Sequence, residues 1–199
     1  MNIEFEATFK DIDKDEIREK LKDLGAELIK DEFLQKRSAW HVPQECKVKK
    51  SWLRVRDEDD KITLTFKSHS DRDDIKGQKE IELEVDSYSD AELFLKTIGC
   101  RKKSYQETKR EIWKLDGVEA MIDEWPFLEP IIEVEGESEE AVKNVSERLG
   151  FDYSEAVFGP VGILYSQKYG VTEKFVNNKV KEILFNSDNP FINKKIKLK

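Results

Sequence analysis

The chain has 199 residues, 39% of them charged and 38% hydrophobic, with a formal net charge of −8. That length suits one domain, or one domain with an appendage, and is enough to bury a sizeable core. The negative charge argues against a nucleic-acid partner held by phosphate neutralisation, and the absence of a long apolar run argues against a membrane span. The N-terminus lacks the charged-then-apolar pattern of a signal peptide, and Cys46 and Cys100 share no metal or redox spacing. Both features point to a cytoplasmic protein with free thiols.

The first element is the strand-like "NIEFEATF". Ile3, Phe5, Ala7 and Phe9 alternate with Glu4, Glu6 and Thr8, so one face is apolar and the other carries two carboxylates. "DKDEIREKLKDLGA" follows as a helix, with Asp13 as N-cap, Glu16 three residues on, an Ile17–Leu21–Leu24 stripe and Gly25 at its end. The next strands are "WLRVR", "KITLTFK" and "QKEIELEV". Their polar faces carry Arg54 and Arg56, then Thr63, Thr65 and Lys67, then Glu80, Glu82 and Glu84. A polar and mobile excursion, "SHSDRDDIKGQ", separates the last two.

A second helix, "SYSDAELFLKTIG", repeats the design of the first with Ser89, Glu92, Leu93, Ile98 and Gly99. "TKREIWKL" and "EAMIDEW" then flank the turn "KLDGVE", and "IIEVEG" puts Glu133 and Glu135 opposite Ile132 and Val134. The third helix has Ser138, Val142, Val145, Leu149 and Gly150 at the matching places. There is also an internal echo. Lys36-Arg37-x-x-Trp40 and Lys109-Arg110-x-x-Trp113 stand at nearly equal distances from Gly25 and Gly99, which suggests two related strand–helix–strand halves.

Two sheets fit strands whose polar faces are this highly charged. An open antiparallel sheet would leave the charges in water, paired across strands. A closed barrel would turn its apolar face out to the helices and line its interior with charge. Such an interior is tolerable only where charges are paired or bind ions. It would suit a polyanion on the Arg/Lys side and a hard divalent cation between the Glu-x-Glu carboxylates. His41 and His69 read as surface histidines in loops. Of the four tryptophans, Trp125 is the one placed to stack on a base, beside Asp123. "NKKIKLK" reads as a solvated basic tail.

In their order and spacing, Glu4-x-Glu6, Arg54-x-Arg56, Lys67, Glu80-x-Glu82-x-Glu84, Arg110, Asp123 and Glu133-x-Glu135 resemble the CYTH superfamily, the triphosphate tunnel metalloenzymes. That group includes class IV adenylate cyclases, thiamine triphosphatases and inorganic triphosphatases. The likeness spans residues 1–170 and leaves 171–199 as a C-terminal extension without an assigned role. It implies an α+β fold in which an eight-stranded antiparallel β-barrel forms a tunnel flanked by helices. It also implies a Mg²⁺- or Mn²⁺-dependent hydrolase acting on a triphosphate-bearing small molecule. Glu4, Glu6, Glu133 and Glu135 would be the metal carboxylates, and Arg54, Arg56, Lys67 and Arg110 the phosphate ligands. Glu82 and Asp123 would be catalytic acids, and a homodimer is allowed. An adenylate cyclase is the alternative enzyme. The sequence departs from the family pattern at Thr8 and Thr108, where family members carry lysines; Lys10 would compensate for Thr8. These two losses make a non-catalytic polyphosphate- or nucleotide-binding module the alternative from another class.

Overall fold

Strand pairing runs through almost the whole chain. The computed structural model describes residues 1–48, 50–69, 75 and 78–192. The strands are β1 (Asn2–Ile3), β2 (Phe5–Phe9), β3 (Glu27–His41), β4 (Ser51–Asp57), β5 (Ile62–His69), β6 (Gln78–Glu84), β7 (Arg101–Leu115), β8 (Val118–Glu124), β9 (Ile131–Gly136) and β10 (Glu182–Ile183). The helices are α1 (Lys14–Asp23), α2 (Tyr88–Thr97), α3 (Glu139–Arg148), α4 (Gly162–Tyr169) and α5 (Glu173–Lys179). Most of the excursion between β5 and β6, and the whole basic tail, lie outside the described residues.

The sheet order is β1-β6-β5-β4-β3-β7-β8-β9-β2, antiparallel throughout, with β10 added parallel to β7. β1 and β2 stand at opposite ends of this order, yet Glu4 alone separates them in the chain. One N-terminal segment therefore pairs with β6 through Asn2 and Ile3 and with β9 through residues 5–9. The sheet must curl for both pairings to hold, and its eight full-length strands form the barrel-like wall that the resemblance implied.

Strand alternation decides which side chains face in. On β9, Ile132 and Val134 are fully buried in an outer core with Val142, Val145 and Leu149 of α3 and the adjoining helix end. Glu133 and Glu135, between and after them, line the interior. Phe9 stacks on Phe151 with ring centroids 4.4 Å apart and closes the same core. A second outer core sets Ala91 and Leu95 of α2 on Trp40 and Val55. A third apolar cluster gathers Trp125, Tyr165, Val176, Ile183 and Phe191, the first four of which also line the interior, so residues 171–191 pack against the end of β8 and against α4.

The helix caps follow the sequence at two of three sites. Asp13 accepts the amides of Asp15 (2.9 Å) and Glu16 (3.1 Å), and Ser138 accepts that of Ala141 (3.2 Å). In α2 the cap is Ser87, which accepts Asp90 N–H at 3.2 Å, and not Ser89, which lies in the first turn. Leu93 and Ile98 are 60% and 47% exposed. Leu93 and Phe94 compete with Ala91 and Leu95 for the apolar stripe of α2, so its own periodicity did not select the face. Contact with Trp40 and Val55 selects Ala91 and Leu95. The β7–β8 turn is Asp116-Gly117, with φ of 51° and 85° at its two central residues. That is the left-handed geometry a two-residue hairpin requires.

Candidate active site

The interior of the curled sheet encloses a cavity of about 690 Å³. Facing strands give it walls of opposite charge, because each contributes every second residue.

β4 contributes Arg54 and Arg56, β5 contributes Lys67, β7 contributes Arg110 and β3 contributes Arg37. Arg56 Nε donates to Glu58 at 2.7 Å. Burial, with Arg54 beside it, lowers the Arg56 guanidinium to about 10. Arg54 reaches Thr65 Oγ1 at 3.3 Å and Glu82 at 3.4 Å, and its Nε has no hydrogen-bond partner. Arg110 forks onto Asp123 at 2.7 and 2.6 Å and also contacts Glu133. Burial disfavours its charge, but Asp123 and Glu133 hold it well above the usual range.

The opposite wall is acidic. Glu4, Glu6 and Glu135 each place a carboxylate oxygen within 4.8 Å of the others. Glu4 accepts Lys67 Nζ at 2.6 Å and Gln78 Nε2 at 2.7 Å. Burial and then Glu133 and Glu4 raise Glu6 well above the carboxylate range, while burial and then Glu4 push Glu135 up to about 7. Three crowded carboxylates, two of them resisting ionisation, are a hard-oxygen set of the kind that takes a divalent cation.

The structure therefore divides the expected carboxylate quartet. Glu133 falls outside the trio whose oxygens lie within 4.8 Å of one another, though its charge acts on Glu6, and the guanidinium of Arg110 holds it. Burial disfavours its charge, but Arg110 and then Arg37 and Lys67 pull its carboxyl below the usual value. Asp123 is fully buried and is not among the cavity-lining residues; it grips Arg110 from behind. Glu82 lies at the more open rim, accepting Thr65 Oγ1 at 2.9 Å.

Several expectations need correction. His41 and His69 are the last residues of β3 and β5, not loop residues; His69 is 6% exposed and both line the cavity. Lys10 points away and reaches Gln167 at 3.4 Å on the exterior, so it does not replace an ammonium at Thr8. Trp125 is 3% exposed with the Arg37 guanidinium 4.6 Å from its ring centroid, so that face is taken. Arg37 itself was absent from the expected ligand set. Its signal was the Lys-Arg-x-x-Trp echo: Arg37 and Arg110 both line the cavity, while Trp40 and Trp113 are both buried in the outer cores.

A curled antiparallel sheet with cations facing carboxylates across its interior is a tunnel-type fold. The CYTH domain model matches residues 2–156, and the chain belongs to that family. Proteins of this family are typically enzymes, adenylyl cyclases or triphosphatases, that bind triphosphate substrates and in general depend on a metal. The chain is 29% identical over 133 residues to a Methanocaldococcus jannaschii protein named as an adenylate cyclase candidate; the match covers 67% of this chain and 76% of that protein. A Pyrococcus horikoshii structure aligns with TM-score 0.67 and 23% identity over 83% of this chain and 99% of that one. A Hippeastrum protein, described as an adenylyl cyclase candidate with a dominant triphosphatase activity, aligns with TM-score 0.54 and 16% identity over 86% of this chain and 97% of its own. Among the described residues no helix is long and apolar enough to cross a membrane.

Proposed function

We propose that this protein is a divalent-metal-dependent triphosphatase, cleaving a phosphoanhydride bond of a small triphosphate-bearing molecule with water. One observation carries the reading: a single cavity sets Arg54, Arg56 and Arg110 against the Glu4–Glu6–Glu135 carboxylate trio. Phosphoryl transfer asks mainly for positioning and charge neutralisation, and both walls supply these. The arginines would fix the phosphate chain by forked hydrogen bonds to its oxygens. Lys67, between the arginines and the trio, would turn from Glu4 to a phosphate oxygen when a cation takes its place. Glu4, Glu6 and Glu135 would hold Mg²⁺ or Mn²⁺, with Glu133 beside them. Bound there, the ion would supply Lewis-acid polarisation of the phosphate and lower the pKa of a coordinated water. Asp123 acts as a positioning residue for Arg110, and Glu82 at the rim orients Arg54.

The adenylate cyclase alternative is favoured by the name of the M. jannaschii relative. The triphosphatase reading is favoured by the dominant activity named for the Hippeastrum protein and by the loss of Trp125 as a free stacking surface. Incubation with tripolyphosphate, thiamine triphosphate and ATP, each with Mg²⁺ and with Mn²⁺, separates the two. Orthophosphate is the expected product. Cyclic AMP with pyrophosphate would replace this reading by the cyclase, and no product from any pairing would leave a binding module.

A further inference from the structure

Arg37 is a cavity charge that the expected ligand set leaves out. It is 7% exposed on the central strand β3, and among the described residues no carboxylate lies within ion-pair distance of it. The neighbouring cations differ: Arg110 has Asp123 and Glu133, Arg56 has Glu58, and Lys67 has Glu4 and Glu80. Arg37 Nη2 instead donates to two neutral acceptors, Gln35 Oε1 at 2.7 Å and Thr108 Oγ1, and its guanidinium lies over the Trp125 ring. Its Nε is buried without a hydrogen-bond partner. Burial, followed by repulsion from Arg56, Arg54 and Arg110 that the attraction of Asp123 only partly offsets, draws its proton affinity well below the usual range.

A buried guanidinium without an ion-paired carboxylate is costly unless an anion completes it. Its surroundings fix its plane and orientation, while Asp123 and Glu133, both ion-paired to Arg110, act on it only from beyond ion-pair distance, as expected of a group that awaits a ligand. Arg37 is also the counterpart of Arg110 in the Lys-Arg-x-x-Trp echo, so the two halves of the chain each send one arginine into the same cavity.

We infer that Arg37 is a further anion-binding residue of this site, engaging the phosphate chain of the substrate from the β3 wall opposite the carboxylate trio, with Gln35, Thr108 and Trp125 as the cradle that positions it. On this view Thr108 marks a relocated cation: a short hydroxyl there leaves room for the guanidinium of Arg37 and accepts its hydrogen bond. The inference rests on the triphosphate-binding part of the proposed function and not on turnover.

The test is calorimetric titration with inorganic tripolyphosphate, with and without Mg²⁺, paired with thermal melts of the free protein. Arg37→Gln keeps a donor toward Gln35 and Thr108 but removes the charge. Its affinity for tripolyphosphate should fall about tenfold to a hundredfold, the worth of one or two charge-assisted hydrogen bonds. The melting temperature of the free protein should hold or rise, because a buried charge repelled by three neighbouring arginines has gone. A residue that only braced the core would lower that melting temperature and leave affinity unchanged. Lys143→Gln, on exposed α3, is the control and should bind as wild type. Adding Thr108→Lys to Arg37→Gln should restore much of the lost affinity, since the ammonium would enter from the same cradle. Wild-type affinity in Arg37→Gln overturns the inference. Should that variant fail to fold, Arg37→Lys decides: several-fold weaker binding supports a role for the guanidinium fork, and unchanged binding overturns it. A wild-type protein that binds tripolyphosphate without turning it over would remove the proposed hydrolysis and leave Arg37 supported. A wild type that binds none would remove both.

Discussion

Glu133 and Glu135 are two residues apart on β9 and face the same cavity, yet their proton affinities move in opposite directions. Both are penalised by burial. Glu133 recovers its charge from Arg110, whereas Glu135, beside Glu4, is pushed up to about 7. The sign follows from linkage. A carboxyl raised from its ordinary 4.5 stabilises the fold fully below that pH, and the contribution is lost as pH rises through about 7. Glu133, held down, stabilises the fold above its ordinary value and loses that contribution as pH falls through its lowered one. Metal-free protein should therefore lose stability between about pH 4.5 and 7 on account of Glu135, and Glu135→Gln should flatten that part of the curve. Melts across the pH range check it; a wild-type slope retained in the variant would count against Glu135. Asp123 gives a second prediction. Asp123→Asn removes one of the two ion pairs that Arg110 makes among the described residues and should cost about 3–5 kcal/mol in urea unfolding, the usual penalty for breaking a buried ion pair.

At the scale of elements, the informative contrast is between α3 and α2. α3 presents Val142, Val145 and the adjoining Leu149 to β9, and Leu149 is fully buried. Leu149→Ala should cost about 2–5 kcal/mol. In α2, Leu93 and Phe94 are more than half exposed. Leu93→Ala should change stability by no more than about 0.5 kcal/mol, despite being the same substitution in a helix of the same length. Chemical denaturation of both variants tests the assignment of faces, and equal losses would contradict it. The two 15-residue strands β3 and β7 follow α1 and α2 and pair with each other along most of their length. The Lys-Arg-x-x-Trp echo therefore sits at the seam of the halves, with each arginine on the inner surface and each tryptophan on the outer.

For the whole molecule, the barrel-like sheet works as a frame that forces like charges together on one side. Glu4, Glu6 and Glu135 lie on three segments, β1–β2 junction, β2 and β9, and stay within 4.8 Å because the N-terminal segment must pair with both edges of the sheet. A bound divalent cation relieves their repulsion and should stabilise the native state by about 2.7 kcal/mol at one hundred times its dissociation constant. The double variant Glu4→Gln, Glu6→Gln should melt no lower than wild type without metal and should show no metal response. Thermal melts with and without Mg²⁺ and Mn²⁺ report both. An unshifted wild-type melt at saturating metal with tripolyphosphate present would remove the ion from this trio.

Alternation was legible in the sequence along the strands named there, and with it the two faces of the sheet, because strand geometry places every second side chain on one side wherever the strand lies; β3 was not among those strands. The caps of α1 and α3 and the Asp116-Gly117 turn were legible for the same kind of reason: they depend on hydrogen bonds and backbone angles within a few residues. What lay beyond the sequence were relations between segments far apart in the chain. Glu133 and Glu135 look equivalent until Arg110, 23 residues before Glu133, bonds one and not the other. His69 reads as a surface residue until the curl of the sheet buries it at the cavity wall. Arg37 shows its lack of an ion pair only once β3 is set beside β4 and β7, where repulsion from Arg56, Arg54 and Arg110 meets only the more distant attraction of Asp123. Local geometry is fixed by steric and hydrogen-bonding rules that act within a few residues. Electrostatic neighbours are fixed by which strands the closing sheet brings together, and only the tertiary structure decides that.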